Sequence, residues 1–303
     1  MSRSPLSIGC GRQVDGRTCQ RSVVDLGQRH GLTRESLVRD LRGLGVSEGV
    51  TLLVHSSLRS LGWVSGGATN VVHALLDVLG PAGTLVVPTH TANNRDPSRW
   101  TDPAIPEAWW PVVRENMPGF DPFRTPSFGV GIIPERVRTW PGAARSGHPQ
   151  TSFAALGSRA EWIVERHDLE SQLGERSPLG RLEQAGAWIL LLGVGFDRCT
   201  AFHLAEYRMP EPATRENACV VVTPAGRRWV AYTGIILDDG DFIDLGDDFE
   251  ALTGLVRGGR VGQAECRVLP LREAVAFAER WFQSHRTSKL TKASLACAPG
   301  IEV

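Results

Sequence analysis

The hydrophobic positions of this chain follow two patterns, short unbroken apolar runs and apolar stripes at helical spacing. Three runs predict strands that are buried on both faces, at residues 50–55, 84–88 and 188–194. Between the first two runs, residues 65–68 (Ser-Gly-Gly-Ala) open a predicted helix over residues 69–79. Strand, glycine-rich loop, helix and strand in this order predict a βαβ unit with a parallel pair of strands.

Helical spacing predicts four further helices. In the first, Thr33 is a good N-cap, and Leu37, Leu41 and Leu44 form one apolar stripe that ends at Gly45. The others are predicted at residues 159–167, at the segment after the third strand, which carries His203, Glu206 and Tyr207, and at residues 271–285.

The connections between these elements are uneven in length. Residues 217–235 alternate like a β-hairpin around a Pro-Ala-Gly turn. Residues 90–147 are rich in Pro, Trp, Asn and Gly, and we expect mostly loop there, with short helices. A loop region of this length in a compact domain is more often functional than not.

The pattern predicts a single α/β domain, because no repeat and no linker divides it. We place this domain at residues 26–287. The polar, arginine-rich residues 1–25 are expected to form a disordered extension, and residues 288–303 a frayed tail.

Composition narrows the function classes. The 303 residues contain 33 basic and 33 acidic side chains, and this zero net charge argues against a general nucleic-acid binder. No apolar run approaches the roughly 20 residues that cross a bilayer, so we expect no membrane association. The first residues lack the apolar core of a signal peptide, and the six cysteines are scattered. We therefore expect a reduced, cytoplasmic protein.

The loop after the first strand is the first candidate site. It reads HSSLRSLGWVSGGA over residues 55–68 and lies at the carboxyl end of a buried strand, where open α/β sheets bind ligands. Two glycines before a helix let backbone N–H groups approach an anionic or amide-rich ligand. Neither a Walker motif nor GxGxxG is present. These local features leave a ligand loop of unknown type and a plain tight turn both open.

The loop and helix after the third strand form the second candidate site. His203 lies near a helix N-terminus, which disfavours imidazolium and leaves the ring available as a base. Glu206 follows three residues later and can either partner His203 or cap the turn. HxxE is one residue short of HExxH and no third ligand is evident, so we expect no metal. A Cys199–His203 nucleophile pair is an alternative, although an inert buried cysteine is favoured.

Two other segments carry titratable groups. Pro149 restricts the backbone of His148, which either orients a substrate or packs beneath the tryptophan-rich loops. Seven of the thirteen residues at 238–250 are acidic. They form either a solvated surface or a surface that attracts a cationic substrate.

Four blocks of this sequence, taken in order, resemble the aminoglycoside 3-N-acetyltransferase family. They cover residues 54–91 (VHSSLRSLGWVSGG onward), 145–157 (RSGHPQTSFAALG), 174–208 (ending in FHLAEYR) and 237–242 (LDDGDF). The resemblance implies a single three-layer α/β/α domain, with long loops covering a cleft for acetyl-CoA and an amine.

The resemblance also assigns roles to residues. His203 matches the family's general base, and the carboxylates expected to assist it are Glu206, Asp239 and Asp241. The expected acetyl-CoA contacts lie in the first loop: His55, Ser56, Ser57, Leu58, Arg59, Gly62, Trp63, Val64 and Gly66. The expected substrate contacts are His90, His148, Tyr207 and Asp238.

One departure from the family keeps other functions open. Related enzymes carry a carboxylate just beyond the strand around Tyr232, whereas this chain reads Tyr-Thr-Gly over residues 232–234. We expect acetyl transfer to the 3-amino group of a 2-deoxystreptamine aminoglycoside. The alternatives are transfer to another amine, a decayed CoA-binding module, and a thioester hydrolase that uses Cys199 and His203. A homodimer is plausible for enzymes of this size.

Overall fold

The structure, a computed structural model, describes the backbone of residues 31–101 and 103–296 and the side chains of residues 31–101 and 103–286. The expected N-terminal extension, residues 1–25, lies outside the described residues. So do residues 297–303 of the expected C-terminal tail.

The described part of the chain forms helices and strands that alternate along most of its length. The helices are α1 Arg34–Gly43, α2 Gly67–Leu79, α3 Trp110–Asn116, α4 Ile132–Arg138, α5 Ala160–Val164, α6 Pro178–Gln184, α7 Phe202–Glu206, α8 Phe242–Thr253 and α9 Leu271–Ala296. The strands are β1 Thr51–Ser56, β2 Thr84–Pro88, β3 Ala144–Arg145, β4 Phe153–Gly157, β5 Trp188–Leu192, β6 Thr214–Thr223, β7 Gly226–Ile235, β8 Arg257–Val261 and β9 Ala264–Pro270.

Seven strands form one mixed sheet in the order β3-β4-β2-β1-β5-β9-β8. The predicted parallel pair is confirmed, because β1 lies parallel to β2, and it also lies parallel to β5. On either side of this parallel centre, β4 runs antiparallel to β2 and β9 runs antiparallel to β5.

The central strands bury both faces, which explains their unbroken apolar runs. On one face, Leu53, Ile189 and Leu191 pack with residues of α5, α6, α7, α8 and α9. On the other, Leu52 and Val54 pack with residues of α1, α2 and α4. The predicted three-layer α/β/α arrangement is therefore confirmed.

The predicted hairpin is confirmed as β6 and β7, which pair with each other in a separate two-stranded sheet. The long loop after β2 contains short helices, as expected, and binds the edge of this hairpin. The side chain of Asn94 accepts from the N–H of Val220 and donates to its carbonyl, at 2.9 Å in each case. The backbone N–H of Phe120 donates to the same carbonyl. The loop and the hairpin are thus joined by main-chain groups as well as side chains.

Several elements differ from the sequence prediction. The helix predicted to end at residue 285 continues as α9 to Ala296. The acidic segment contains α8, whose buried face consists of Phe242, Leu245, Gly246 and Phe249. Strand β8 was not predicted, because its residues Arg-Gly-Gly-Arg-Val are mostly exposed at the sheet edge and show no apolar alternation.

Helix α8 lies unusually close to the loop between β5 and α7. A Cβ atom added at Gly246 would lie 2.0 Å from Cγ of Phe196, a buried ring in that loop. Real carbon atoms do not approach so closely, so glycine at this position allows α8 to pack against the loop that leads to His203.

We expect Gly246→Ala to destabilise the protein by about 1–3 kcal/mol, because the added methyl group overpacks this contact. An alanine in a helix interior otherwise gains roughly 1 kcal/mol over glycine. Gly43→Ala in α1 is the matched control, since a Cβ there meets no atom within 4 Å. Thermal unfolding of both variants measures the difference, and a melting temperature that rises for Gly246→Ala would contradict the packing argument.

Candidate active site

The loops that follow three parallel strands lie at one edge of the sheet. Because β2, β1 and β5 are neighbours and run in the same direction, their carboxyl ends meet there. Ser56, the last residue of β1, lies opposite Leu192, the last residue of β5. The N–H of Ser57 continues the pairing by donating to the Leu192 carbonyl at 2.9 Å. The two loops singled out in the sequence therefore lie side by side.

His203 and Glu206 form a buried pair on α7. Their spacing of three residues places them on one helix face, and Nδ1 of His203 lies 2.7 Å from Oε2 of Glu206. The two residues are 8% and 3% exposed. An ionised carboxylate accepts hydrogen bonds, so Nδ1 of a neutral His203 carries the proton, and Nε2 is left as the acceptor. That tautomer is the one a general base requires.

The second carboxylate oxygen of Glu206 is bound from outside α7. Oε1 accepts from the guanidinium of Arg286 at 2.5 Å and from the backbone N–H of Asp238 at 3.1 Å. Arg286 also makes a bidentate pair with the Asp241 carboxylate, at 2.6 and 3.0 Å. A buried carboxylate needs such donors to remain ionised.

The expected assisting carboxylates therefore have different places. Glu206 contacts His203 directly, whereas Asp241 is connected to it only through Arg286. Asp239 is exposed in the turn before α8 and makes no hydrogen bond to His203. Sequence reasoning missed Arg286, which lies 80 residues from Glu206 and at no helical spacing to it.

The acidic segment contains one buried carboxylate and several exposed ones. The Asp241 carboxylate pairs with Arg286, whereas Asp238, Asp244 and Asp247 are exposed. The backbone of Asp238 contacts Glu206 and Arg286, and its side chain accepts from the N–H of Gly240, within its own turn. The expected contact of Asp238 with a substrate stays a prediction.

The loop after β1 has the features of a ligand-binding loop. Gly66, the N-cap of α2, adopts the left-handed conformation at φ 73° and offers no capping side chain. The first-turn N–H groups of a 13-residue helix therefore lack a side-chain cap, an arrangement that favours anions. Trp63 is 57% exposed, and the buried Oγ of Ser56 has no partner among the described residues.

His55 lies beneath this loop and contacts the other one. It is 4% exposed, and its Nε2 lies 3.4 Å from Oγ1 of Thr200. Burial, reinforced by the nearby His203, lowers the pKa of His55 to about 3. His55 is therefore a neutral residue that joins the two loops, and its expected contact with acetyl-CoA stays a prediction.

His90 follows β2 at the same sheet edge. Its Nε2 is buried and has no hydrogen-bond partner among the described residues, and its ring meets Phe153 edge to face at 5.4 Å. Burial first, and then the neighbouring histidines, lower its pKa to about 3. The free nitrogen keeps His90 a candidate substrate contact.

His148 is held by the protein at both ring nitrogens, and its expected contact with a substrate stays a prediction. It is fully buried, and its Nε2 donates to the Leu169 carbonyl at 3.1 Å. Its Nδ1 accepts from the backbone N–H groups of Gln150 and Thr151, also at 3.1 Å. Both ring nitrogens are therefore used within the protein. The neighbouring His167, 4.6 Å away between ring centroids, is bound in a similar way by Ser146 and Gln172.

Tyr207 and Cys199 flank the His203 pair in the sequence. The Tyr207 hydroxyl is buried against the backbone of Gln172 and Leu173, and burial raises its pKa to about 12, so it remains protonated. Cys199 is fully buried, and burial raises its pKa to about 12. A thiol held in the protonated form is a poor nucleophile, which weakens the hydrolase alternative.

The buried histidines predict a loss of stability on mild acidification. Burial lowers the pKa of His148 to about 4, that of His55 and His90 to about 3, and that of His167 well below 6.5. The unfolded chain takes up protons at these rings below about pH 6.5 while the folded protein does not, so acid favours unfolding.

We therefore expect the melting temperature to fall as the pH is lowered from 6.5 to 4.5. Carboxylates whose pKa is lowered by ion pairs, such as Asp96 and Glu135, contribute mainly below this window. Thermal unfolding at fixed ionic strength measures the effect. A melting temperature that is constant or higher at pH 4.5 would contradict it.

Within the described residues, no group of three or more His, Cys, Asp or Glu side chains is arranged to hold a metal ion. None of the helices in that part of the chain is long and apolar enough to cross a membrane.

Comparison with known proteins agrees with this geometry. The sequence model of the aminoglycoside 3-N-acetyltransferase family matches residues 53–283. The chain is 42% identical, over 86% of its length and 96% of the relative's, to the SPbeta prophage-derived aminoglycoside N(3')-acetyltransferase-like protein YokD of Bacillus subtilis (strain 168). The crystal structure of YokD superposes with a TM-score of 0.83 over 85% of this chain and 96% of that chain.

Two solved complexes are also similar. AAC-IIIb in a binary complex with CoASH has a TM-score of 0.76 at 31% identity, over 84% of this chain and 97% of that chain. AAC-VIa bound to sisomicin has a TM-score of 0.75 at 30% identity, over 84% of this chain and 98% of that chain. The match of the family model includes both loops of the site, and the chain therefore belongs to the aminoglycoside 3-N-acetyltransferase family.

Proposed function

We propose that this protein transfers the acetyl group of acetyl-CoA to the 3-amino group of a 2-deoxystreptamine aminoglycoside, with His203 as the general base. The observation that carries the proposal is the buried His203–Glu206 pair beside an uncapped, glycine-rich helix start. A base and an anion-binding loop at the same sheet edge are what an amine and a phosphate-bearing acyl donor require.

His203 performs the proton transfer in this proposal. A protonated amine is not a nucleophile, so Nε2 of His203 takes a proton from the amine as its nitrogen attacks the thioester carbonyl. The new C–N bond replaces the C–S bond, and the proton on His203 can pass to the departing thiolate. Glu206 holds Nδ1–H and stabilises the imidazolium that forms between these steps.

The loop after β1 is the proposed acetyl-CoA site. When bound, acetyl-CoA supplies the acyl group as a thioester. The start of α2, which has no side-chain cap, suits its phosphates or the developing oxyanion, and the exposed Trp63 offers an apolar surface to the pantetheine arm. The contacts proposed are those expected from the sequence: His55, Ser56, Ser57, Leu58, Arg59, Gly62, Trp63, Val64 and Gly66. Dependence on this thioester also favours a cytoplasmic location, and a homodimer stays a prediction.

The acceptor is proposed from the relatives. AAC-VIa is bound to sisomicin in its solved structure, and the aminoglycoside acetyltransferases share most of this chain's length. His90 Nε2 is a buried polar atom without a partner among the described residues, and its ring is close enough to His203 to interact with it electrostatically. It is suited to a hydroxyl- and amine-rich ligand.

One observation favours a second candidate acceptor, an amine that also carries an anionic group. Arg95 and Arg99 lie close to Arg215 of β6, and after burial their positive charges lower the pKa of its guanidinium. Arg99 donates to the side chain of Asn217, whose own Nδ2 is buried without a partner. Such a positive corner repels a polycation and attracts a carboxylate or phosphate.

Release of free thiol from acetyl-CoA tests the proposed function. The protein is assayed without an acceptor, with aminoglycosides that have a free 3-amino group, with the same compounds already acetylated there, and with amino acids or amino phosphates. We expect release only with the free 3-amino compounds. Release only with the anionic amines would favour the second candidate, and release without any amine would indicate a hydrolase.

The role of His203 is tested by His203→Ala. We expect the turnover rate at saturating substrates to fall roughly 10²–10⁴-fold, because general-base catalysis contributes about this much. Acetyl-CoA affinity, measured by calorimetry, should stay near the wild-type value, since the loop after β1 is unaltered. Cys199→Ser is the matched control and should retain its rate. A His203→Ala enzyme with unchanged turnover would remove His203 from the mechanism.

A further inference from the structure

The C-terminal part of α9 reaches the active centre through Arg286. This residue donates to Glu206 Oε1, to both oxygens of Asp241 and to the carbonyl of Asp238. Its side chain is 19% exposed, and those of Glu206 and Asp241 are 4% and 10% exposed. A guanidinium that bridges two buried carboxylates is strongly fixed in position.

An aromatic path connects the same elements. The Arg286 guanidinium lies 3.8 Å from the ring centroid of Phe282, and the Phe282 ring stacks with Phe242 at 6.2 Å. Phe242 in turn lies 4.7 Å from the His203 ring. The polar and aromatic contacts together close a ring that runs from His203 through Glu206, Arg286, Phe282 and Phe242 back to His203.

The charges of Glu206, Asp241 and Arg286 do not cancel. Glu206 and Asp241 each contribute one negative charge and Arg286 one positive charge, so the three together carry −1. Imidazolium formation at His203 brings the group to neutrality. The charged or titratable groups around His203 are Glu206 on α7, Asp238 and Asp241 before α8, Arg286 on α9, His55 on β1 and His90 after β2.

We propose that Arg286 is a positioning residue for the acetyl transfer and that the Arg286–Asp241 pair sets how readily His203 takes up a proton. Arg286 fixes the Glu206 carboxylate and moderates its charge, and Asp241 limits how far Arg286 neutralises it. The proposal rests on the proposed function for its catalytic consequence, but the proton uptake of His203 can be measured without turnover.

Removing the charge of Arg286 and removing that of Asp241 should shift the titration of His203 in opposite directions. Arg286→Gln leaves two buried carboxylates uncompensated, which favours imidazolium and moves the titration of His203 to higher pH. Asp241→Asn leaves Arg286 directed at Glu206 alone, which disfavours imidazolium and moves the titration to lower pH. We expect each shift to be about one pH unit, on the scale of one partly buried charge. A purely structural role for the pair would produce no such opposition.

The titration is followed by NMR of histidine-labelled protein, with His203→Ala assigning the resonance. Arg280→Gln is the matched control, because Arg280 is an exposed arginine on the same helix and should leave the midpoint unchanged. Arg286→Lys keeps the charge but loses the bidentate geometry, and it should bring the midpoint back toward the wild-type value. Thermal unfolding confirms that each variant is folded.

Where the enzyme turns over, the pH dependence of the rate should follow the same order, with kcat lowered in Arg286→Gln and KM for acetyl-CoA unchanged. Shifts in the same direction for Arg286→Gln and Asp241→Asn, or no shift in either, would overturn the proposal. If Arg286→Gln does not fold, a lower midpoint in Asp241→Asn is still required, and an unchanged one overturns it. Opposed shifts in a protein that acetylates no amine would uphold the proposal while the proposed function fails.

Discussion

The ionised carboxylate of Glu206, buried in the interior, is the constraint on which the active centre depends. Burying an unpaired carboxylate costs several kcal/mol, so its two oxygens must find donors. One comes from its own helix, His203, one from the turn before α8, the Asp238 N–H, and one from α9, Arg286. Satisfying one charge therefore brings three helices to a common point at the edge of the sheet.

The order of strands in the sheet explains why Glu206 and His203 lie beside the loop after β1. The neighbouring strands β2, β1 and β5 pair in parallel, so their carboxyl ends are adjacent. The loop after β1 leads to the start of α2, which has no side-chain cap, and the loop after β5 leads to His203, the proposed base. His55 joins the two as a neutral ring, because burial keeps its pKa near 3. The binding and the proton-transfer groups are thus held by neighbouring strands rather than by flexible segments.

The sequence pattern predicted the strands and contacts that are determined by residues close together in the chain. The apolar runs identified β1, β2 and β5, and the spacing of His203 and Glu206 identified their shared face. The exposed edge strand β8 and the two-residue β3 have no periodic signal, and their pairing partners decide their conformation. Helix α8 was not predicted, because the segment was interpreted from its seven acidic residues. Its apolar stripe, formed by Phe242, Leu245 and Phe249, was not considered.

The position of α7 could not be predicted from the sequence, because it depends on contacts with residues far away in the chain. Helix α7 has five residues and no side-chain cap at Ala201, and isolated helices of this length are not stable in water. Its geometry must therefore come from tertiary contacts: Phe242 against the His203 ring, and Arg286 with the Asp238 N–H on Glu206. The family likeness proposes His203 as the base, since it lies in the FHLAEYR segment. Apart from Glu206 on the same helix, the residues named here that hold His203 in place lie in the last 70 residues of the chain, and only the fold brings them to it.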